Sequence, residues 1–188
     1  VAVLFDVTGS MSDVPKLFVQ ELGKLMGFLI KKGVLKSPHV LFGAIGDATC
    51  DVVPLQIGQF EAGNEMDDVL SKFVLEGGGG GQNTESYELG MYFFARHSSI
   101  DCYEKRGEPG YLFFMGDELP YKKVSKRQVK DLIGVDIQDD IPTSEILAEL
   151  QNQYEVFWIM PGGTQNYNNA YVNNELKKLF GQRFIKLP

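Results

Sequence analysis

The sequence predicts an α/β fold, a mostly parallel sheet with helices on both of its faces. Three observations carry that prediction. Apolar runs of strand length alternate with longer stretches of helical periodicity. Two of those runs end on a carboxylate, Asp6 and Asp117. One pair of runs is separated by a gap too short for a helical crossover, which makes one edge strand antiparallel.

The elements follow in order. Val1 to Phe5 (VAVLF) is a short run of β-branched and aromatic residues, better suited to a buried strand than to a helix. A helix follows, with Ser12 or Asp13 as its cap and Pro15 in its first turn. Val14, Phe18, Leu22, Leu25 and Leu29 give it one apolar face, and Lys31, Lys32 and Gly33 end it. His39 to Ile45 and Asp51 to Ile57 are the second and third strands. Pro54 cannot donate to a ladder and puts the third at an edge. Glu65 to Leu75 reads as a helix with Met66, Val69, Leu70 and Phe73 inward. After the glycine run Gly77 to Gly81, Thr84 opens a helix reaching His97, with Leu89, Tyr92 and Phe93 on its buried side and Tyr87 a further candidate. Tyr111 to Met115 is wholly apolar and therefore central. Helices over Ser125 to Ile133, Thr143 to Asn152 and Asn168 to Phe180 alternate with strands at Glu155 to Met160 and Arg183 to Leu187.

The 188 residues fit a single domain, 1–188, with a proper core, and the opening inside a strand reads as a segment of a longer chain. A content of 44% hydrophobic and 23% charged residues is that of a soluble globular protein. A net charge of −7 argues against nucleic acid as a partner, and no apolar run has the length of a membrane span. Cys50 and Cys102 read as small buried hydrophobes in a reducing, cytoplasmic compartment.

In open α/β sheets ligands bind at the carboxyl edge of the strands. Asp6, Thr8 and Ser10 place three oxygens there on one loop, with Gly9 permitting the tight turn. Such oxygens suit a hard cation like Mg²⁺, bound octahedrally at roughly 2.0–2.1 Å. Asp6-x-Thr8-x-Ser10 after an apolar strand resembles the first part of the metal-ion-dependent adhesion site of von Willebrand factor A (vWA) domains. Thr84, after a glycine-rich loop, and Asp117, at the end of the fourth strand, resemble that family's two remaining pieces, in the same chain order.

The resemblance implies a doubly wound, Rossmann-like vWA fold. It has a mostly parallel six-stranded sheet in the order 3-2-1-4-5-6 with one antiparallel edge strand. It implies that Thr8, Ser10 and Thr84 bind the metal directly and that Asp6 and Asp117 act largely through water. Mg²⁺ is the expected ion, with Mn²⁺ or Ca²⁺ as substitutes. The function it implies is non-enzymatic: binding a protein partner that supplies an Asp or Glu carboxylate, within a larger assembly in which an AAA+ ATPase is conceivable.

Asp47, Gly80, Gly81 and Glu118 are candidates for supporting the site or meeting the partner, although a turn role is the simpler reading of Asp47. Lys122, Lys123, Lys126, Arg127 and Lys130 form either a solvated basic face or a patch that attracts an acidic partner. His39 and His97 are too isolated for a catalytic or zinc site. The glycine run lacks the lysine of a P-loop. Three alternatives stand beside the metal site. Asp6 and Thr84 could be plain turn and helix caps. The module could be a metal-free scaffold. Lastly, Asp-x-Thr-Gly-Ser also resembles the loop of haloacid dehalogenase-like phosphotransferases, with Asp6 as nucleophile and Lys122 or Lys123 in support.

Overall fold

The computed structural model describes residues 1–33, 35, 37–63, 65–78 and 83–188. The chain runs β1 (Ala2–Asp6), α1 (Val14–Glu21), α2 (Lys24–Lys32), β2 (Leu41–Ile45), β3 (Leu55–Ile57) and α3 (Glu65–Ser71). Next come β4 (Thr84–Glu85), α4 (Tyr87–Arg96), α5 (Asp101–Arg106), β5 (Gly110–Met115), β6 (Leu119–Pro120) and β7 (Lys123–Val124). It ends with α6 (Lys126–Gln128), β8 (Ile141–Pro142), α7 (Thr143–Leu150), β9 (Tyr154–Pro161), α8 (Ala170–Phe180) and β10 (Phe184–Leu187).

Six strands form the main sheet, in the order β10-β9-β5-β1-β2-β3. Every pairing is parallel except β2 with β3, as the short connection between them requires. This is a Rossmann-like α/β fold. The pairing of β1 with β5 sets Phe5 beside Met115, so the loops that begin at Asp6 and Asp117 leave the sheet side by side.

The strands alternate their side chains between two cores. Leu4, Ile45, Leu112, Phe114, Val156 and Trp158 face α4, α7 and α8. Val3, Phe5, Phe42 and Ala44 face Met26 and Leu29 of α2 and Leu70 of α3. The second cover is thinner: Tyr111 is exposed, and Phe113 and Phe157, stacked with centroids 5.2 Å apart, are half-buried. An all-apolar β5 is thus central in order, but it is fully covered on one face only.

Several boundaries differ from the sequence expectation. The first long helix is broken at Leu22–Gly23, where glycine interrupts good helix formers. Asp13 does not cap it; its carboxylate pairs with Lys16 in solvent. β3 starts only at Leu55, because Pro54, opposite Gly46, accepts the Gly46 N–H but has no N–H to return to the ladder. Thr84 does not open a helix. It lies in β4, paired with Leu119 of β6, and the helix begins at Tyr87 with Phe93 only half-buried. Cys50 is exposed, turned outward from a loop whose interior is filled by Asp47, and Cys102 is half-buried on α5. Both are free thiols, and their burial no longer argues for a reducing compartment. Among the described residues no helix is long and apolar enough to cross a membrane.

Candidate metal site

The site is built on the end of β1. Asp6 is fully buried, and its carboxylate organises the loop that follows. Oδ1 accepts the Thr8 backbone N–H at 2.7 Å and the Thr8 hydroxyl at 2.6 Å. Oδ2 accepts the Tyr87 hydroxyl at 2.5 Å. Gly9 is needed at the turn: a Cβ there would stand 2.9 Å from the Gly78 carbonyl, which accepts the Gly9 N–H. Gly77 in turn donates to the Val7 carbonyl, so the first glycines of the run clasp the loop through backbone alone.

Asp117, also fully buried, closes the site from β5. Its Oδ1 accepts the Ser10 hydroxyl at 2.7 Å, and its Oδ2 accepts the Asn166 N–H at 2.7 Å. Each loop hydroxyl therefore spends its proton on a carboxylate and keeps its lone pairs for the space between them. The Thr8 and Ser10 oxygens are 3.3 Å apart, close to the roughly 3 Å that separates adjacent oxygens of an octahedral Mg²⁺ shell. Thr84 reaches the same edge through the β4–β6 pairing, and its hydroxyl bonds to the Tyr121 phenol. Ser10, Thr84 and Tyr121 are half-buried, so solvent reaches the site from their side.

Buried acids crowd this edge. Burial pushes Asp6 up to about 7, against the pull of its bonds to Thr8 and Tyr87, with Asp117 adding to the rise. Burial also raises Glu85 and Glu118, which bond to each other, and pushes Glu88 up to about 8. Oε2 of Glu85 and Oε1 of Glu88 are buried without a protein partner. The cost of so much desolvated carboxylate falls when a cation shares the edge. Among the described residues no three His, Cys, Asp or Glu side chains converge as a metal cluster. The oxygens left for a cation at this edge are those of the Thr8 and Ser10 hydroxyls, with the two aspartates behind them. That donor set is all oxygen and fits a hard ion.

Four of the five sequence candidates thus form two directly bonded pairs, Asp6 with Thr8 and Ser10 with Asp117, whose hydroxyl oxygens lie 3.3 Å apart, and Thr84 arrives on the neighbouring strand pair. Asp47 is buried and bonded to Thr49 of its own turn and to Tyr121, which is the turn role expected of it. Glu118 sits between Glu85 and the Asn166 side chain. Gly80 and Gly81 lie outside the described residues. The basic run is largely neutralised: Lys123 pairs with Asp140, Arg127 with Asp131 and Lys130 with Asp136. That also leaves Lys123 unsuited to support phosphate. Asp6, fully buried with both oxygens bonded, has no exposed lone pair for attack on one.

Sequence reasoning missed Asn166, Tyr121 and the acids Glu85 and Glu88. Asn166 belongs to the loop after β9, at the same sheet edge, so strand-end placement was the available signal. Gln165 extends the same wall, its N–H donating to the Ser10 carbonyl. Tyr121 is separated from Thr84 and Asp47 by long stretches of chain, and nothing local marks it.

The sheet order, with helices on both faces, gives the chain a vWA-like α/β fold. Known structures agree at the level of the fold. Proximal thread matrix protein 1 from the mussel byssus superposes with a TM-score of 0.61 at 12% identity, covering 99% of this chain and 42% of that one. A further structure of the same byssus protein, with a zinc-occupied MIDAS motif, gives 0.63 at 12% identity. The pilus adhesin SpaC from Lactobacillus rhamnosus GG gives 0.63 at 10% identity, covering all of this chain and 27% of that one. This chain therefore spans less than half the length of these structural neighbours. No family model matches the sequence, and no curated protein matches it.

Proposed function

We propose that this domain binds a protein partner through a divalent cation held at Thr8, Ser10 and Thr84, with Asp6 and Asp117 behind them. The observation that carries the reading is the proton direction at the loop: both hydroxyls donate to buried aspartates and present lone pairs to one another across 3.3 Å. Mg²⁺ fits an all-oxygen set best, and the zinc-occupied motif of the byssus protein supports metal use by this fold. The bound cation would supply a concentrated positive charge at an edge that is otherwise strongly acidic. A partner's Asp or Glu carboxylate is the ligand that such a charge attracts. The chain's own residues do the rest: Asp6 and Asp117 orient the hydroxyls, and Asn166 fixes Asp117. The matrix and adhesin neighbours fit a binding role rather than catalysis.

Thermal unfolding with and without Mg²⁺ or Mn²⁺ tests this. A ligand at a hundred times its dissociation constant stabilises the native state by about 2.7 kcal/mol, worth about 5–10 °C in a domain of this size. The rise is expected in the parent chain and absent when Asp6→Ala is combined with Asp117→Ala. A parent chain whose Tm ignores millimolar metal would count against the site.

A further inference from the structure

Tyr87 is fully buried, and its hydroxyl lies 2.5 Å from Asp6 Oδ2. Three features aim it there. Its ring packs against Trp158, with centroids 4.5 Å apart, and edge-on against Phe114. Trp158 is fixed by its indole N–H, which donates to the Gly116 carbonyl at 3.0 Å. Gly116 has no Cβ because the phenol occupies its place: a Cβ there would stand 1.9 Å from the Tyr87 oxygen. The chain thus gives up a side chain beside Asp117 to seat a phenol on Asp6.

We infer that Tyr87 is a positioning residue that keeps Asp6 out of direct contact with the cation. This rests on the metal-site reading above. Oδ1 is held by two donors from Thr8 and Oδ2 by the phenol, so Asp6 cannot turn an oxygen to the metal without breaking a buried, short hydrogen bond to a charged acceptor. Asp6 then contributes charge and orientation through the Thr8 hydroxyl, and the cation retains a water in its place.

Terbium(III) tests this, because Tyr87 and Trp158 lie close enough to the site to sensitise its emission. Emission lifetimes in H₂O and D₂O count the waters on the bound ion, a readout that a purely structural role would not move. Tyr87→Phe frees Oδ2 and is expected to lose one coordinated water, as Asp6 swings onto the metal. Equal water counts in a folded Tyr87→Phe and the parent chain would overturn the inference. Should Tyr87→Phe fail to fold, Asp6→Asn decides. It is expected to weaken terbium binding without changing the water count, and a higher count would show that Asp6 had been a direct ligand. No sensitised emission from the parent chain at millimolar terbium would instead overturn the metal site itself.

Discussion

At the scale of single residues, the site depends on which side chains are missing as much as on which are present. Gly116 shows this most sharply, since even one methyl group collides with the Tyr87 hydroxyl. Overpacking of this kind in a closed core costs about 1–3 kcal/mol. Gly116→Ala should therefore unfold at lower denaturant than the parent chain with an unchanged slope, and a variant of equal midpoint would mean the phenol has room to move. The five ligand candidates were legible because their types and chain order form a pattern. Tyr87 was legible only as an apolar-face candidate, because its hydroxyl finds Asp6 across 81 positions of sequence and no local signal encodes that meeting.

Among the elements, the longer apolar strands were read correctly, whereas the break in the first helix and the shortest strands were not. β1, β5, β9 and α8 sit where their apolar patterns put them. β4 and β6 are two residues each and exist because Thr84 and Leu119 meet across the sheet edge. No two-residue strand has a periodicity to read, so TESYEL passed for the start of a helix. α5 was missed for a similar reason, being six polar-rich residues with no buried side chain. The edge strand β3 shows a device that sequence also hides. The Gln56 amide accepts the Val74 N–H at 2.8 Å and donates to the Val74 carbonyl at 2.9 Å, pairing through a side chain as a further strand would through its backbone. Gln56→Ala should cost about 1–2 kcal/mol for two exposed hydrogen bonds. It should also speed amide exchange at Val74, and unchanged exchange there would show that the pairing does not hold in solution.

For the whole molecule, the acids gathered at one end of the sheet set the response to pH. Asp6 rises from 3.8 to about 7 and Glu88 from 4.5 to about 8, burial being the first cause of each. Above the unfolded values the native state holds protons that the unfolded chain has released. The stability these groups permit is fully present in acid and is lost as pH climbs toward the folded values. The metal-free domain should thus grow less stable between about pH 4 and pH 8. Glu88→Gln should flatten part of that slope without touching the cation site, and Mg²⁺ should flatten more of it. A metal-free stability profile that rises over this window would contradict the assignment.

The glycine clasp has a consequence for how a partner could be told apart from its competitors. Gly77 and Gly78 are exposed and lie against the Asp6 loop with backbone only, and the sequence continues with three more glycines. A wall without side chains offers every visitor the same peptide surface. If the proposed carboxylate enters there, such a wall would admit it without distinguishing the chain that carries it. Under the proposed function, discrimination would come from the side chains around the site, among them Tyr121 and Gln165. Recognition under that reading would be lopsided, with the glycine side generic and the side chains holding the vocabulary.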